Sequence, residues 1–386
     1  MKIIIHDYAG HPFQYDLSIE LAKRGYQITH IYFYNDIGPK REFRKKVKNL
    51  KIVPIKMAYT KDNFVKRFFL DIKYSFRLLD YIRLNKSDVI ISGNSPSFIQ
   101  YNLAKYCNQN NIKFINWVQD IYFLAVIEIL KKKFFSLGKI IGFIFKYIDN
   151  LTYHLSNHNI IISNKFLKPL KQFKINPKKI SVIENWGNLK DVKIVRKNND
   201  FSKKFNLLNN KFRVVYTGTL ALKHDYKLLL RLISKFKEIE FLIVASGLGY
   251  QQLINNVQNL KNVKCLPLQP FNQLSNILGS ADCALSLMHK DSSIYSVPSK
   301  ILNYMCAGKP VFARALKDSS THDLITSSMC GLVDTTYNNK IFFNQLKKLI
   351  NNKKRLKQYS LNSRKYAIKN FNITKITNQF EKIISQ

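Results

Sequence analysis

Acidic residues are what this 386-residue sequence most lacks: 24 Asp and Glu stand against 63 Lys and Arg, a formal charge of +39 at pH 7. So lopsided a field draws a protein to polyanions, whether nucleic acid, an anionic membrane leaflet or a phosphorylated substrate, and by itself does not choose among them. Cysteine is scarce too. Cys107, Cys265, Cys283, Cys306 and Cys330 are odd in number, scattered and never spaced C-x-x-C. That pattern argues against a disulfide framework or a thiolate zinc site and fits buried thiols in a reducing cytoplasm. No spacing of His, Asp and Glu marks a metal site, so metal-independent chemistry without a cofactor is expected. No run reaches the roughly 20 apolar residues of a membrane span; the nearest, Phe134–Ile148, is interrupted by Lys139 and Lys146. The opening Met1–Asp7 is too short and too quickly polar for a signal peptide and reads as a first buried strand. No short repeat and no nucleic-acid-binding module is evident, and the aromatics follow core spacing, so nucleic acid is not expected as a partner.

What is present is apolar material along the whole chain, 46% hydrophobic and 13% aromatic residues, enough for two folded domains of similar size. Short apolar runs alternate with helical patterns. The spacing predicts strands at Ile3–Ile5, Ile28–Tyr34, Asp88–Ser92, Lys113–Val118 and Asn159–Ser163, with a first helix near Gln14–Arg24. A second series follows the polar stretch Asn188–Asn210, with strands at Phe212–Thr217, Glu240–Ala245, Val263–Leu266, Cys283–Leu287 and Pro310–Ala313. This rhythm predicts an α/β protein of two Rossmann-like, doubly wound parallel-sheet domains, 1–187 and 188–371, facing across a cleft. A last helix at about 372–386 is expected to return to the first domain.

Three segments of the second half carry the chemistry. In Val215–Asp225, a strand ends at Thr217, Gly218 permits close backbone approach, and Lys223 precedes a helix. Gly218 alone is explained by packing, but the segment as a whole suits a diphosphate: free N–H groups, a small residue and a mobile ammonium. Ala245–Gly249 places two glycines after a strand, a turn that exposes N–H groups but is common as structure alone. In Tyr295–Val311, Pro298 suits a first helical turn, Ser299 and Lys300 follow at the positive end of a helix running to Ala307, and Gly308 ends it. Such a helix start is an anion site, and the lysine is the telling residue.

In the first half, Asp120 follows a strand and is either a carboxylate in the cleft or a helix N-cap. Gly10-His11-Pro12 follows the first strand, where His11 is either an acceptor contact or structural. The basic, aromatic stretch Lys131–Tyr147 offers a face of Phe134, Phe135, Leu137, Ile141, Phe145 and Ile148. That is either an ordinary core-facing helix or a membrane contact, and the overall charge favours an anionic membrane surface.

Taken in order, these motifs resemble the bacterial family 4 retaining glycosyltransferases, and more narrowly a branch that includes N-acetylfucosamine transferases of O-antigen, colanic-acid and capsule assembly. The resemblance spans nearly the whole chain: G-H-P-F at Gly10–Phe13, S-G-N-S-P at Ser92–Pro96, W-V-Q-D-I-Y at Trp117–Tyr122, E-N-W at Glu184–Trp186, T-G-T-L-x-L-K-H-D at Thr217–Asp225, and S-V-P-S-K-x-L-x-Y-x-C-A-G-K-P at Ser296–Pro310. It implies a GT-B fold, with a nucleotide-sugar donor held by the second domain and a lipid-linked glycan acceptor by the first, at the inner face of the plasma membrane. The donor would be UDP-linked, an N-acetylated deoxyhexosamine in the narrower branch. Donor contacts are expected from Gly218, Thr219, Lys223, His224, Gly247, Leu248, Gly249, Gln269, Ser296, Val297, Pro298, Ser299, Lys300 and Asn303. Acceptor contacts are expected from Gly10 and His11, and catalytic roles from Asp120, Lys223 and Lys300. One departure stands out: the family's E-x7-E glutamates fall on Tyr295 and Asn303, neither acidic. That departure sustains an alternative, a non-catalytic GT-B partner subunit that binds nucleotide or lipid. A sugar-nucleotide epimerase is a weaker rival, since no acid/base set beyond Asp120 and scattered histidines is evident.

Overall fold

The computed structural model describes residues 1–35, 47–58, 64–93, 95–133, 137–207, 210–221 and 223–386. Asn94 and Leu222, within two of the motifs above, lie outside them, as do Phe134 and Phe135. The chain divides into two compact units, Met1–Glu184 with Ile373–Gln386, and Asn185–Asn372.

The first unit runs β1 (Lys2–Asp7), α1 (Pro12–Lys23), β2 (Gln27–Phe33), β3 (Leu50–Ile55), α2 (Phe64–Leu84), β4 (Val89–Gly93), α3 (Ser97–Gln109), β5 (Lys113–Val118), α4 (Tyr122–Lys133), α5 (Leu137–Leu155), β6 (His158–Ile161), α6 (Leu167–Leu170) and β7 (Ile180–Val182). Its sheet has the order β3-β2-β1-β4-β5-β6-β7, with every pairing parallel. The second unit runs α7 (Asp200–Lys204), β8 (Arg213–Thr219), α8 (Tyr226–Lys235), β9 (Glu240–Ser246), α9 (Leu248–Val257), β10 (Val263–Pro267), α10 (Leu274–Gly279), β11 (Cys283–Leu287), α11 (Lys300–Cys306), β12 (Val311–Arg314), α12 (Ser320–Ser328), β13 (Gly331–Asp334), α13 (Asn339–Ile350) and α14 (Lys353–Asn370). Its sheet, also all parallel, has the order β10-β9-β8-β11-β12-β13.

The central strands are the continuous apolar runs seen in the sequence, because a parallel strand is covered by helices on both faces. Three strands escaped that reading, and all lie at sheet edges. In β3, only Ile55 is buried; β7 is three half-buried residues; β13 opens on Gly331. Half-covered edge strands need no apolar run and leave no such signal. The helix expected from Pro298 starts two residues later, at Lys300. The Pro298 carbonyl accepts the Ile301 N–H (3.1 Å), so a tight turn leads into α11.

The final helix, α15 (Ile373–Ser385), belongs to the first unit. Phe380 is fully buried, with its ring edge-on to Trp117 at 4.8 Å between centroids. Arg24 at the end of α1 pairs with Glu381, and its guanidinium also donates to Asn378 (2.7 Å).

Helices α4 and α5 form an antiparallel hairpin closed by two glycines one turn apart. A Cβ added at Gly138 would fall 2.6 Å from the Leu130 carbonyl oxygen, and one at Gly142 would fall 2.5 Å from Ile127 Cγ1. That packing corrects the membrane-facing stripe expected from sequence. Phe145 is buried against Phe68 (6.2 Å between ring centroids), and Ile141 and Ile148 are half-buried. The side chain of Leu137 lies outside the described residues. Among the described residues, no helix is long and apolar enough to cross a membrane.

Phe380→Ala is expected to cost about 3–5 kcal/mol, as for other buried Phe truncations. In a Trp186→Phe background, urea unfolding followed by Trp117 fluorescence would read this directly, since the lost ring lies on that indole.

Candidate functional site

The chemistry of the second unit gathers at the carboxyl ends of β8 and β9. Gly218 adopts φ +95°, a conformation that side chains rarely take, while still paired with Ala245 of β9, so β8 runs two residues beyond the expected end at Thr217. Beyond it, the Leu220 N–H donates to the Ser246 carbonyl (2.7 Å), and the Leu220 carbonyl accepts the Gly249 N–H (2.9 Å). One residue therefore stitches the end of β8 to the Gly247-Leu248-Gly249 turn. Gly247 needs its φ of +100°. Gly249 is a matter of space, since an added Cβ would fall 2.7 Å from the Leu220 carbonyl oxygen. The expectation that both glycines present N–H groups to a ligand is thus corrected for Gly249, whose N–H is engaged by Leu220.

Two ammonium groups converge here. The Lys223 Nζ donates to the Ser296 Oγ (2.7 Å), while its own carbonyl accepts from the His289 N–H (3.1 Å) and the Ser292 Oγ (2.7 Å). Lys300, the first residue of α11, folds its Nζ over the Tyr216 ring at 3.6 Å from the centroid and within 3.3 Å of the Thr219 carbonyl. Burial first, then the charge of Lys223, hold the Lys300 ammonium well below the ordinary lysine pKa. A cation over an aromatic face with a carbonyl beside it is partly compensated. An anion placed between the two lysines would compensate it further, and a diphosphate has the charge and reach to do so.

The remaining expected donor residues divide. Gly218, Thr219, Lys223, Ser296 and Lys300 come together, joined to Gly247–Gly249 through Leu220. Leu248 is exposed beside them, Val297 and Ser299 are half-buried and Pro298 is buried in the approach to α11. His224 turns inward. Its ring is buried, Nδ1 accepts the Ala221 N–H (3.1 Å), and burial drives its pKa well below the ordinary value, so it holds the turn as a neutral acceptor. Asn303 gives its Oδ1 to the Asn188 N–H (3.2 Å), tying α11 to the chain after Trp186. Gln269 folds back on the Pro267 carbonyl (3.0 Å), and Tyr295 is buried.

In the first unit, Gly10 and His11 lie between β1 and α1, and His11 stacks on Phe13, whose ring meets Trp117 edge-on. Trp117 and Asp120 line a polar cavity of about 60 Å³, room for roughly two waters. Ser95, Gln100, Asn116 and Asp149 line it as well. The choice left open for Asp120 is narrowed, because α4 begins at Tyr122 and the carboxylate on the Phe123 N–H is Asp149 of α5 (3.0 Å). Burial raises Asp149 to about 7, against the pull of that hydrogen bond. Deeper in the unit, His6 Nδ1 lies 2.8 Å from Ser92 Oγ and its Nε2 2.9 Å from Tyr74 OH, and burial lowers its pKa to about 3.

Sequence reasoning missed Tyr216, Ser292 and Asp149. Tyr216 reads as one more core aromatic of a strand, and Asp149 as one acid on a basic helix. Ser292 had a faint signal, in the short polar run after β11. Among the described residues, no group of three or more His, Cys, Asp or Glu is arranged to hold a metal.

Residues 197–366, most of the second unit, match the family model of the glycosyl transferases group 1. Among curated proteins, none matches the chain. Solved structures resemble it over its whole length. Sucrose-phosphate synthase of Thermosynechococcus elongatus has a TM-score of 0.79 at 13% identity, covering 100% of this chain and 98% of that one. WaaG, a glycosyltransferase involved in lipopolysaccharide biosynthesis, has a TM-score of 0.71 at 13% identity and 99% coverage of both chains. Anabaena Alr3699/HepE, solved in complex with UDP and glucose, has a TM-score of 0.72 at 15% identity, covering 100% of this chain and 99% of that one. The two parallel-sheet α/β units of this chain have the GT-B fold.

A raised carboxyl pKa has a sign. Asp149 favours the folded state while protonated, an advantage complete below the unfolded value of 3.8 and lost as pH rises through about 7. Stability of the first unit is therefore expected to fall across that window. Asp149→Asn keeps an oxygen for the Phe123 N–H and cannot ionise, so its thermal midpoint should exceed the native one above pH 7 and show a flatter slope below. An unchanged slope would assign the titration elsewhere.

Proposed function

We propose that this protein is a glycosyltransferase that moves a sugar from a UDP-linked donor to a lipid-linked glycan acceptor, with retention, in assembly of a bacterial surface polysaccharide. The observation that carries the reading is the pair Lys223 and Lys300 at the β8 turn, inside the segment matching the glycosyl transferases group 1. The relative solved with UDP and glucose supports the choice of donor class.

The steps follow from charge. The acceptor hydroxyl oxygen attacks the anomeric carbon on the face from which the diphosphate leaves. The C1–O bond to phosphate breaks, and the hydroxyl proton passes to the departing phosphate oxygen. Negative charge grows on that oxygen as the bond breaks, and Lys223 and Lys300 stabilise it electrostatically. A desolvated lysine with a lowered pKa suits this task, because its full charge is drawn out by the phosphate it serves. Asp120, at the cavity rim of the first unit, is assigned to the acceptor or transferred sugar together with Gly10 and His11. Enzyme position follows from the acceptor: cytoplasmic, at the inner face of the plasma membrane. The narrower proposal for the sugar is an N-acetylated deoxyhexosamine, which rests on the motif resemblance alone.

A second reading has one observation in its favour. On the motif resemblance, the E-x7-E glutamates fall on Tyr295 and Asn303, neither acidic, and Asn303 Oδ1 is already bound to the Asn188 N–H. On that reading the protein is a non-catalytic partner subunit that binds nucleotide or lipid and transfers nothing.

Calorimetry with UDP is the first test. Nucleotide binding should raise the Lys300 pKa, so binding takes up protons at pH values above the lowered free-state pKa, and affinity falls as pH rises through that range. Repeating the titration in buffers of different ionisation enthalpy counts those protons, and Lys300→Ala should abolish the uptake. The same variant should lower turnover by about tenfold or more, one charged contact's worth. UDP binding with no transfer to any lipid-linked acceptor selects the second reading; no nucleotide binding by a folded sample rejects the transferase and leaves a partner subunit that binds lipid.

A further inference from the structure

Helix α5 is amphipathic in an unusual sense, because both of its long faces are occupied by definite chemistry. On its inner stripe, Gly138 and Gly142 pack on α4, Phe145 meets Phe68 of α2, and Asp149 reaches the polar cavity. On its outer side, Ile140, Phe143, Ile144 and Tyr147 recur at the spacing of a single helical stripe. They are 61%, 68%, 50% and 56% exposed. Scattered exposed apolar residues are ordinary; four on one stripe are a surface.

Charge says what covers it. The 19 residues of α5 contain a single carboxylate, Asp149, and it faces inward, capping the Phe123 N–H. Lys139 is exposed beside Ile140, and Lys146 is half-buried next to Tyr147. The neighbouring helix α2 repeats the pattern: Phe69 and Phe76 are exposed on a stripe with Lys66, Lys73 and Arg77. The two helices adjoin through Phe68, whose ring lies 6.0 Å from that of Phe69 and 6.2 Å from that of Phe145. Bulky apolar side chains among cations, with a net charge of +39 behind them, complement a bilayer of acidic lipid: rings enter the acyl boundary while lysines meet the headgroups.

We infer that the outer face of α5, flanked by α2, docks this protein on an anionic lipid bilayer. Because the inner face of the same helix walls the cavity, docking would hold Asp149 within about one helix diameter, roughly 10 Å, of the headgroups. This purpose rests on the proposed lipid-linked acceptor; the docking itself does not.

Flotation is the test, with vesicles of phosphatidylcholine and phosphatidylglycerol in equal parts, at low salt and without donor or acceptor. The native protein should float with them, and more weakly with phosphatidylcholine alone. Phe143→Asp combined with Ile144→Asp should lower the bound fraction about tenfold or more while leaving the thermal midpoint unchanged, since both positions are exposed. Leu361→Asp with Ile368→Asp, exposed positions of α14, should bind as the native protein does. In parallel, Phe143→Trp should shift its emission to the blue when vesicles are added. Flotation of the α5 variant at the native level, or equal loss in the α14 control, would overturn the inference. So would a dimer in sedimentation that only the α5 variant breaks, because a second copy would then own this face. A protein that floats but binds no nucleotide keeps this inference and loses the catalytic proposal; the reverse outcome does the opposite.

Discussion

Two ammonium groups held at the end of one strand are the constraint around which the second unit is organised. Lys223 and Lys300 repel one another, and each would lower its energy by swinging into water. They stay because each has a partner and a fixed root. Lys300 lies on the Tyr216 ring beside the Thr219 carbonyl, and Lys223 points to Ser296 while His289 and Ser292 grip its backbone. The surrounding turns are built to the same end. Leu220 locks the β8 and β9 turns to each other, neutral His224 holds the chain just before its own helix, and the Asp225 side chain accepts the Leu228 N–H (2.9 Å) to start α8. Burial and the charge of Lys223 lower the Lys300 pKa, so an anion placed between the two lysines would favour the charged form of Lys300.

The first unit solves a different problem, that of polar groups inside a sheet. His6, His30, Ser18 and Ser92 are fully buried on or beside central strands and hydrogen-bond in pairs: His6 with Ser92 and Tyr74, His30 Nδ1 with Ser18. Burial keeps both imidazoles neutral, near a pKa of about 3, so the network carries hydrogen bonds without charge. Asp149 is the exception that matters. It spends its carboxylate on a helix start, borders the cavity beside Asp120, and titrates near neutrality.

Between the interior of the first unit and its surface lies the α4–α5 hairpin. Gly138 and Gly142 allow the two helices to approach closely, and that approach decides which side of α5 is hidden. A larger residue at either position would roll or lift the helix and change the outward stripe, so two glycines in the core govern an exposed surface.

How much of this was legible beforehand follows a physical divide. Strand and helix order, the parallel sheets, and the glycines and lysines at the ends of β8 and β9 and the start of α11 are local properties, written in apolar runs, glycine positions and charge within a few residues of one another. Edge strands β3, β7 and β13 were hidden because half-covered backbone pairs without an apolar signature. What only tertiary structure decided depends on neighbours distant in the chain. It set the His224 ring on the Ala221 N–H and the Asn303 Oδ1 on the Asn188 N–H, carried Asp149 to the start of α4, and chose Ile140, Phe143, Ile144 and Tyr147 over Phe145 as the outer face of α5. Both sides of that helix are apolar in the sequence, and periodicity cannot say which one meets the core. Only the packing partner can, because burial is a relation between two surfaces and the sequence of one helix specifies a single surface.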